Sequence, residues 1–202
     1  MISLELSIHD VYYFHDYVPK YRWDDWDDAD EVDLSRQILN YKDFRASAMN
    51  RFNRELAEAI VMLSNTKLDS RFEKLVLVNV PPSKVGKKSP IKKSISRIVG
   101  MYEKDITENK FNKIKKVYDG GGLLIRSKDV PTSHAGKRAY DWQHELSIIC
   151  ERDFCDVSGN VAFLLLDDIT TTGTVMEVCK NLLIDYGVEE DSIYMLAIAQ
   201  TW

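Results

Sequence analysis

Cysteine is scarce. The three residues Cys150, Cys155 and Cys179 are odd in number and lack any Cys-x-x-Cys spacing, which argues against a disulfide framework or a structural zinc site and for reduced, buried thiols. Nine glycines and five prolines in 202 residues are too few for a collagenous, low-complexity or mostly disordered chain. No apolar stretch approaches the roughly 18–20 residues that a membrane helix needs, and Val161–Leu166 has the length of a strand. Residues Met1–Asp10 lack a basic region followed by an apolar segment, so no secretory leader is expected and the cytoplasm is the default location. Neither sign of charge dominates, with 27 Lys and Arg against 32 Asp and Glu. The resulting net charge of -5 gives no global attraction to nucleic acid, which is therefore not an expected partner, although local basic patches could still hold phosphates.

What remains is a globular chain, 45% hydrophobic and 29% charged. At roughly 150 residues per domain its length leaves room for one core. Its charge is segregated. Trp23–Asp33, WDDWDDADEVD, holds seven carboxylates in eleven positions, whereas Lys84–Lys93 holds five lysines in ten and no acid. The acidic run reads either as a solvated turn into a helix capped near Asp33 or Ser35, or as a recognition loop in which Trp23 or Trp26 stacks on a partner.

Apolar positions at three- and four-residue spacing from Leu34 to Ser64 predict an amphipathic helix or a broken pair. An exposed face there could serve a homodimer or a protein partner, and core packing explains the same pattern. Leu75–Val80 predicts a strand stopped by Pro81 and Pro82, followed by a basic loop and a helix from Ile91 to about Glu103. Gly120–Gly122 precede a short apolar run, Leu123–Ile125, and Arg126–Lys137 reads as a long loop. A helix is expected over Tyr140–Arg152, a strand over Val161–Leu166, a helix over Val175–Tyr186 ended by Gly187, and a strand over Ser192–Ala199. Strands that are apolar throughout and alternate with helices indicate an α/β fold, a parallel sheet covered on both faces that binds ligands beyond its strand C-termini.

Phe163–Val175, FLLLDDITTTGTV, carries the chemistry. A buried strand ends in two adjacent carboxylates, and a hydroxyl-rich turn with one glycine leads into a helix. Successive N–H groups and the hydroxyls of Thr170, Thr171, Thr172 and Thr174 can surround a phosphate at the positive end of that helix, and Gly173 allows close backbone approach. Asp167 and Asp168 can accept hydrogen bonds from ribose hydroxyls. The pattern suits a sugar phosphate.

The segment resembles the motif with which type I phosphoribosyltransferases bind 5-phosphoribosyl pyrophosphate (PRPP): four apolar residues, two acids, two variable positions, then Thr or Ser, Thr or Ala, and Gly. Many members place Thr or Ser two residues after the glycine, where this chain has Val175, so Thr174 is left to supply that hydroxyl. Thr171 stands where 6-oxopurine enzymes carry an acid, which argues against that substrate class. The resemblance implies a Rossmann-like parallel β-sheet flanked by helices, with Asp167 and Asp168 on the ribose and Thr170–Thr174 on the 5′-phosphate. It further implies Pro82, Ser83 and Lys84 of the loop Asn79–Lys88 on the pyrophosphate. A covering loop, Arg126–Arg138, would bring Arg126, His134, Lys137 or Arg138 to the leaving group. The cofactor implied is Mg2+, held mainly through PRPP with Asp167 as a candidate ligand.

Within that set the chain is similar to a ComF-like branch, through Ile38–Lys42 (ILNYK), the Val-Pro loop Val80–Lys84, the arginine-led loop Ile125–Arg138 and the ending Leu196–Thr201. The four-cysteine zinc module of that branch is absent, so residues 1–65 are assigned to an N-terminal hood and helical segment, with Tyr12, Tyr13, Phe14, Trp23 and Trp26 over the base site. The resemblance implies that residues 66–202 form the phosphoribosyltransferase core, within one compact domain overall. The expected function is phosphoribosyl transfer from PRPP to an unidentified nitrogen acceptor. Its rivals are a PRPP- or nucleotide-sensing module and a ComF-like role in DNA uptake.

Overall fold

The computed structural model describes residues 2–7, 10–105, 113–131, 141–151 and 160–201, without the side chains of 103–105, 141 and 142. Its centre is a seven-stranded sheet. Strand β4 (Lys74–Asn79) lies between β5 (Lys116–Gly120) and β8 (Val161–Thr170), and β8 pairs with β9 (Ile193–Thr201), all in parallel. On the outer side of β9 run the short strands β2 (Tyr12–Tyr13) and β3 (His15–Tyr17), both parallel to it, with β1 (Glu5–Leu6) antiparallel to β2. Parallel neighbours need crossovers, and α3 (Pro90–Asp105) and α5 (Thr174–Asp185) supply them between β4 and β5 and between β8 and β9. A small hairpin, β6 (Leu124–Arg126) with β7 (Ile148–Cys150), stands apart from the sheet.

Strand alternation sorts the apolar residues into two cores. Leu75, Leu77, Ala162, Leu164, Leu166, Leu196 and Ile198 face α3 and α2 (Ala46–Thr66), whose Phe52, Leu56, Ile60 and Leu63 are fully buried. Val76, Val78, Phe163, Leu165, Met195 and Ala197 face α5 and the β6–β7 hairpin. Burial on both faces explains why β4, β8 and β9 read as unbroken apolar runs. Phe14, Tyr17, Ile38 and Tyr41 of the N-terminal 65 residues belong to the first of these cores, so that segment shares its apolar interior with the rest of the chain.

The broken helix pair is α1 (Ala29–Lys42) and α2, hinged where Phe44 takes a left-handed φ of 60°. Three expectations need correction. The cap of α1 is Asp28, not Asp33 or Ser35; it accepts from the N–H groups of Asp30 and Glu31, whose charges suit the positive end of the helix. Tyr140–Arg152 is not one helix but a single turn, α4 (Asp141–Glu145), followed by β7, because the Ser-Ile-Ile-Cys run finds a partner in β6. β8 continues past Leu166 to Thr170, so both motif acids lie on the strand itself.

The tryptophans of the acidic run are held by the protein. Trp23 donates to Val18 O at 2.8 Å and Trp26 to Glu31 Oε2 at 2.7 Å, while Arg36 and Arg22 lie over their rings. Tyr13 and Phe14 are buried in the core.

Close packing at the β5 edge makes a prediction. A Cβ on Gly120 would stand 2.8 Å from both Leu77 O and Val76 Cγ1, whereas one on Gly100, in α3, would meet nothing within 4 Å. Gly120→Ala should cost about 1–3 kcal/mol through overpacking, and Gly100→Ala should gain about 0.5–1 kcal/mol of helix propensity. Urea unfolding of the two variants measures the opposite signs.

Candidate functional site

The C-terminal ends of β4 and β8 meet at one edge of the sheet, where Val80 N–H donates to Leu166 O at 3.0 Å. Because side chains alternate along β8, its two terminal carboxylates leave on opposite faces. Asp167 lies among Arg126 and Cys179, on the side of the α5 core. Asp168 faces α1, with Lys42 Nζ 3.0 Å from its Oδ1 and Tyr17 and Tyr41 close enough to feel its charge.

Each acid is oriented by the backbone of the residue that follows. Oδ1 of Asp167 accepts from Asp168 N–H and Oδ1 of Asp168 from Ile169 N–H, both at 2.8 Å. The Oδ2 atom of each has no hydrogen-bond partner among the described residues. Burial, and then the charge of Asp168, push the Asp167 carboxyl up to about 8, against the opposing pull of Lys42, the Asp168 N–H and Arg126. Burial alone would lower the Lys42 ammonium, but the charge and hydrogen bond of Asp168, with Asp167 and Tyr17, hold it above its usual value.

Beyond Thr170, itself buried, the chain turns through exposed Thr171 and half-buried Thr172 to Gly173. Gly173, at φ 71°, occupies the N-cap position of α5, and among the described residues no side chain caps the first turn of the helix. The left-handed conformation suits glycine. Thr172 and Thr174 are 2.9 Å apart through their hydroxyls. Open N–H groups, the positive end of a twelve-residue helix and adjacent hydroxyls make an anion cradle.

The neighbouring loop, Pro81–Lys84, is held from below. Arg126, at the end of β6 and only 6% exposed, donates from Nε to Pro82 O at 2.9 Å and from Nη2 to Pro81 O at 3.2 Å. Its Nη1 donates to Ser147 Oγ at 2.5 Å and lies 3.4 Å from His144 Nδ1. From above, Val130 N–H donates to Ser83 O at 2.9 Å and Val85 N–H to Asp129 Oδ1 at 2.7 Å. Lys84, Lys87, Lys88, Lys92 and Lys93 are all exposed.

The structure thus gathers Asp167, Asp168, Thr170, Thr171, Thr172, Gly173 and Thr174 on β8 and the turn into α5, and sets Pro82, Ser83 and Lys84 beside them on the next strand's loop. Arg126 sits beneath that loop, with its donors on main-chain carbonyls. His134, Lys137 and Arg138 lie outside the described residues. Lys42 is the residue that sequence reasoning missed: it closes the ILNYK segment, but nothing local to it signals a partner on β8. Among the described residues no group of three or more His, Cys, Asp or Glu side chains is arranged to hold a metal ion, and no helix is long and apolar enough to cross a membrane. No family model and no curated protein matches the chain.

Proposed function

We propose that the protein is a phosphoribosyltransferase that binds PRPP with Mg2+ and transfers its phosphoribosyl group to a nitrogen nucleophile, releasing pyrophosphate. The observation that carries this reading is the strand tip itself. Two adjacent carboxylates near the end of β8, each fixed through one oxygen and without a described partner on the other, are followed beyond Ile169–Thr172 by a glycine-led helix start. Asp167 and Asp168 accept the two ribose hydroxyls, and the turn Thr171–Thr174 with the first N–H groups of α5 takes the 5′-phosphate. Ser83, Lys84 and the backbone of their loop take the pyrophosphate.

Two carboxylates with a polyphosphate suit Mg2+, which characteristically combines one or two carboxylates with phosphate oxygens. Asp167 is the residue that would help hold it, mainly through PRPP's own oxygens, and its contribution when bound would be to neutralise charge on the pyrophosphate. In the reaction the bond from C1′ to the pyrophosphate oxygen breaks, its electron pair leaving with the pyrophosphate, and the C1′–N bond forms with inversion. The nitrogen's proton passes to solvent. The chain's own residues act by orientation and electrostatics, aiming donors at the oxygens where charge develops.

Thermal stabilisation tests the pocket. PRPP at a hundredfold excess over its dissociation constant should stabilise the protein by about 2.7 kcal/mol, roughly 5–10 °C for a chain of this size, in the presence of Mg2+. The double variant Asp167→Asn/Asp168→Asn should lose the shift. No shift with PRPP, ribose 5-phosphate or pyrophosphate would refute the reading. One observation favours a second reading, a PRPP-sensing module without turnover: Arg126 is committed to the loop carbonyls rather than free for the leaving group. Pyrophosphate release across a panel of nitrogen acceptors separates the two.

A further inference from the structure

We propose that Lys42 is a positioning residue of the sugar-phosphate site, delivered by the N-terminal helical segment to pin Asp168 so that its free oxygen meets the ligand's hydroxyls. This rests on the phosphoribosyl reading above.

Lys42 is the last residue of α1, and the placement of that helix end is tightly determined. Asp43 N–H donates to Leu39 O at 3.0 Å, Phe44 N–H to Tyr41 O at 2.9 Å and Arg45 N–H to Asn40 O at 2.9 Å. The left-handed Phe44 reverses the chain immediately afterwards, a conformation that a non-glycine residue adopts only where its surroundings impose it. Tyr41, next to Lys42, is fully buried and shares a hydroxyl contact of 2.7 Å with Ser94 of α3. The Lys42 stem therefore starts from a fixed point, and a cation at a helix C-terminus is favoured by the helix dipole.

The ammonium meets Asp168 in a specific way. Oδ1 already accepts from Ile169 N–H at 2.8 Å and takes Lys42 at 3.0 Å as its second partner. Saturating Oδ1 leaves Oδ2 as the acceptor for a ligand and sets the plane of the carboxylate. Among the described residues Lys42 is the one cation within 4.0 Å of Asp168. The neighbouring Asp167 would otherwise add uncompensated repulsion whenever it ionises. A half-buried pair of this kind adds little net stability, because desolvation offsets the attraction. Its consequence is orientation: a carboxylate that must receive a hydroxyl in one geometry is locked before the ligand arrives, which lowers the cost of binding. The N-terminal segment is then a working part of the site.

The test is calorimetric binding of PRPP and, separately, of pyrophosphate to the full chain with Mg2+, using wild type, Lys42→Met, Lys42→Arg, Asp168→Asn and the Lys42→Met/Asp168→Asn double variant. Lys42→Met should weaken PRPP on the order of tenfold, the size of one charge-assisted hydrogen bond. It should leave pyrophosphate, which has no ribose, unchanged. Lys42→Arg should recover most of the loss, and Lys42→Met should cost nothing further once Asp168 is Asn. Lys42→Met that binds PRPP as wild type does, or weakens both ligands equally, or remains costly in the Asp168→Asn background, overturns the proposal while leaving the phosphoribosyl reading intact. Wild-type protein that binds neither ligand overturns that reading and this proposal with it.

Discussion

Asp167→Asn is expected to make the protein more stable at pH 8 while abolishing PRPP binding. The carboxyl titrates near 8 in the folded protein, raised by burial and by Asp168, and near 3.9 in an unfolded chain. Between those values the unfolded state has lost a proton that the native state keeps. Stability from this group therefore falls as pH rises from about 4 to about 8 and is level on either side. Asparagine keeps the acceptor for Asp168 N–H and removes the titration. Each unit of the gap corresponds to about 1.4 kcal/mol. If local relaxation halves the effect, more than 2 kcal/mol remains, a rise in Tm of roughly 4–8 °C at pH 8 that shrinks towards nothing near pH 4. Melting curves of both proteins across that range measure it. A variant that melts at or below wild type at pH 8 would mean that the carboxyl is ionised there and adequately solvated. A half-buried acid that costs the fold stability is the behaviour expected of a binding group.

The legible part of the fold is the part written in local pattern. The runs that became β4, β8 and β9 are apolar on both faces, and the spacing in α2, α3 and α5 is that of amphipathic helices, so the layers followed from the chain itself. The order of acids, hydroxyls and glycine before α5 located the turn into that helix, although it put the end of β8 at Leu166 rather than Thr170. Elements whose identity depends on a distant partner were not legible. β7 carries a pattern that a helix would also satisfy, and its pairing with β6 decides the matter. β5 has only five residues, preceded by lysine and followed by glycines, and becomes a strand beside β4. In Trp23–Asp33 the run of acids pointed to a cap near Asp33 or Ser35, and the turn geometry selects Asp28.

The site divides the same way. That Asp167 and Asp168 form a pair is visible in the chain; that they point to opposite faces, Asp168 paired with Lys42 and Asp167 feeling the charges of both Lys42 and Arg126, follows from β8 extending through them. Neither neighbour lies near the motif in sequence. Arg126 reads as the first residue of a polar loop, yet it closes a short strand and turns inward.

Arg126→Met should destabilise the protein by about 3–5 kcal/mol and loosen the Pro81–Lys84 loop. Two consecutive prolines offer no N–H groups, so this stretch cannot bond to a ladder through its own donors, and its carbonyls need donors from elsewhere. The guanidinium supplies them as a rigid fork, Nε to Pro82 O and Nη2 to Pro81 O, while Nη1 holds Ser147 Oγ. Methionine fills much of the volume but leaves these acceptors unpaired in a buried place, at about 1–3 kcal/mol for each orphaned group. Their sum is tempered by relaxation, and the loss in Tm is on the order of 10 °C. Lysine would keep the charge but reach one acceptor at a time, so Arg126→Lys should recover only part of the loss. Pyrophosphate affinity should fall along with stability, because the loop that presents Ser83 and Lys84 is no longer braced. An Arg126→Met variant that melts with wild type would show that the fork does not brace the loop. If Arg126 leaves the carbonyls to contact the leaving group when PRPP binds, the unliganded variant will still melt below wild type, and pyrophosphate release from PRPP will fall further than pyrophosphate affinity does.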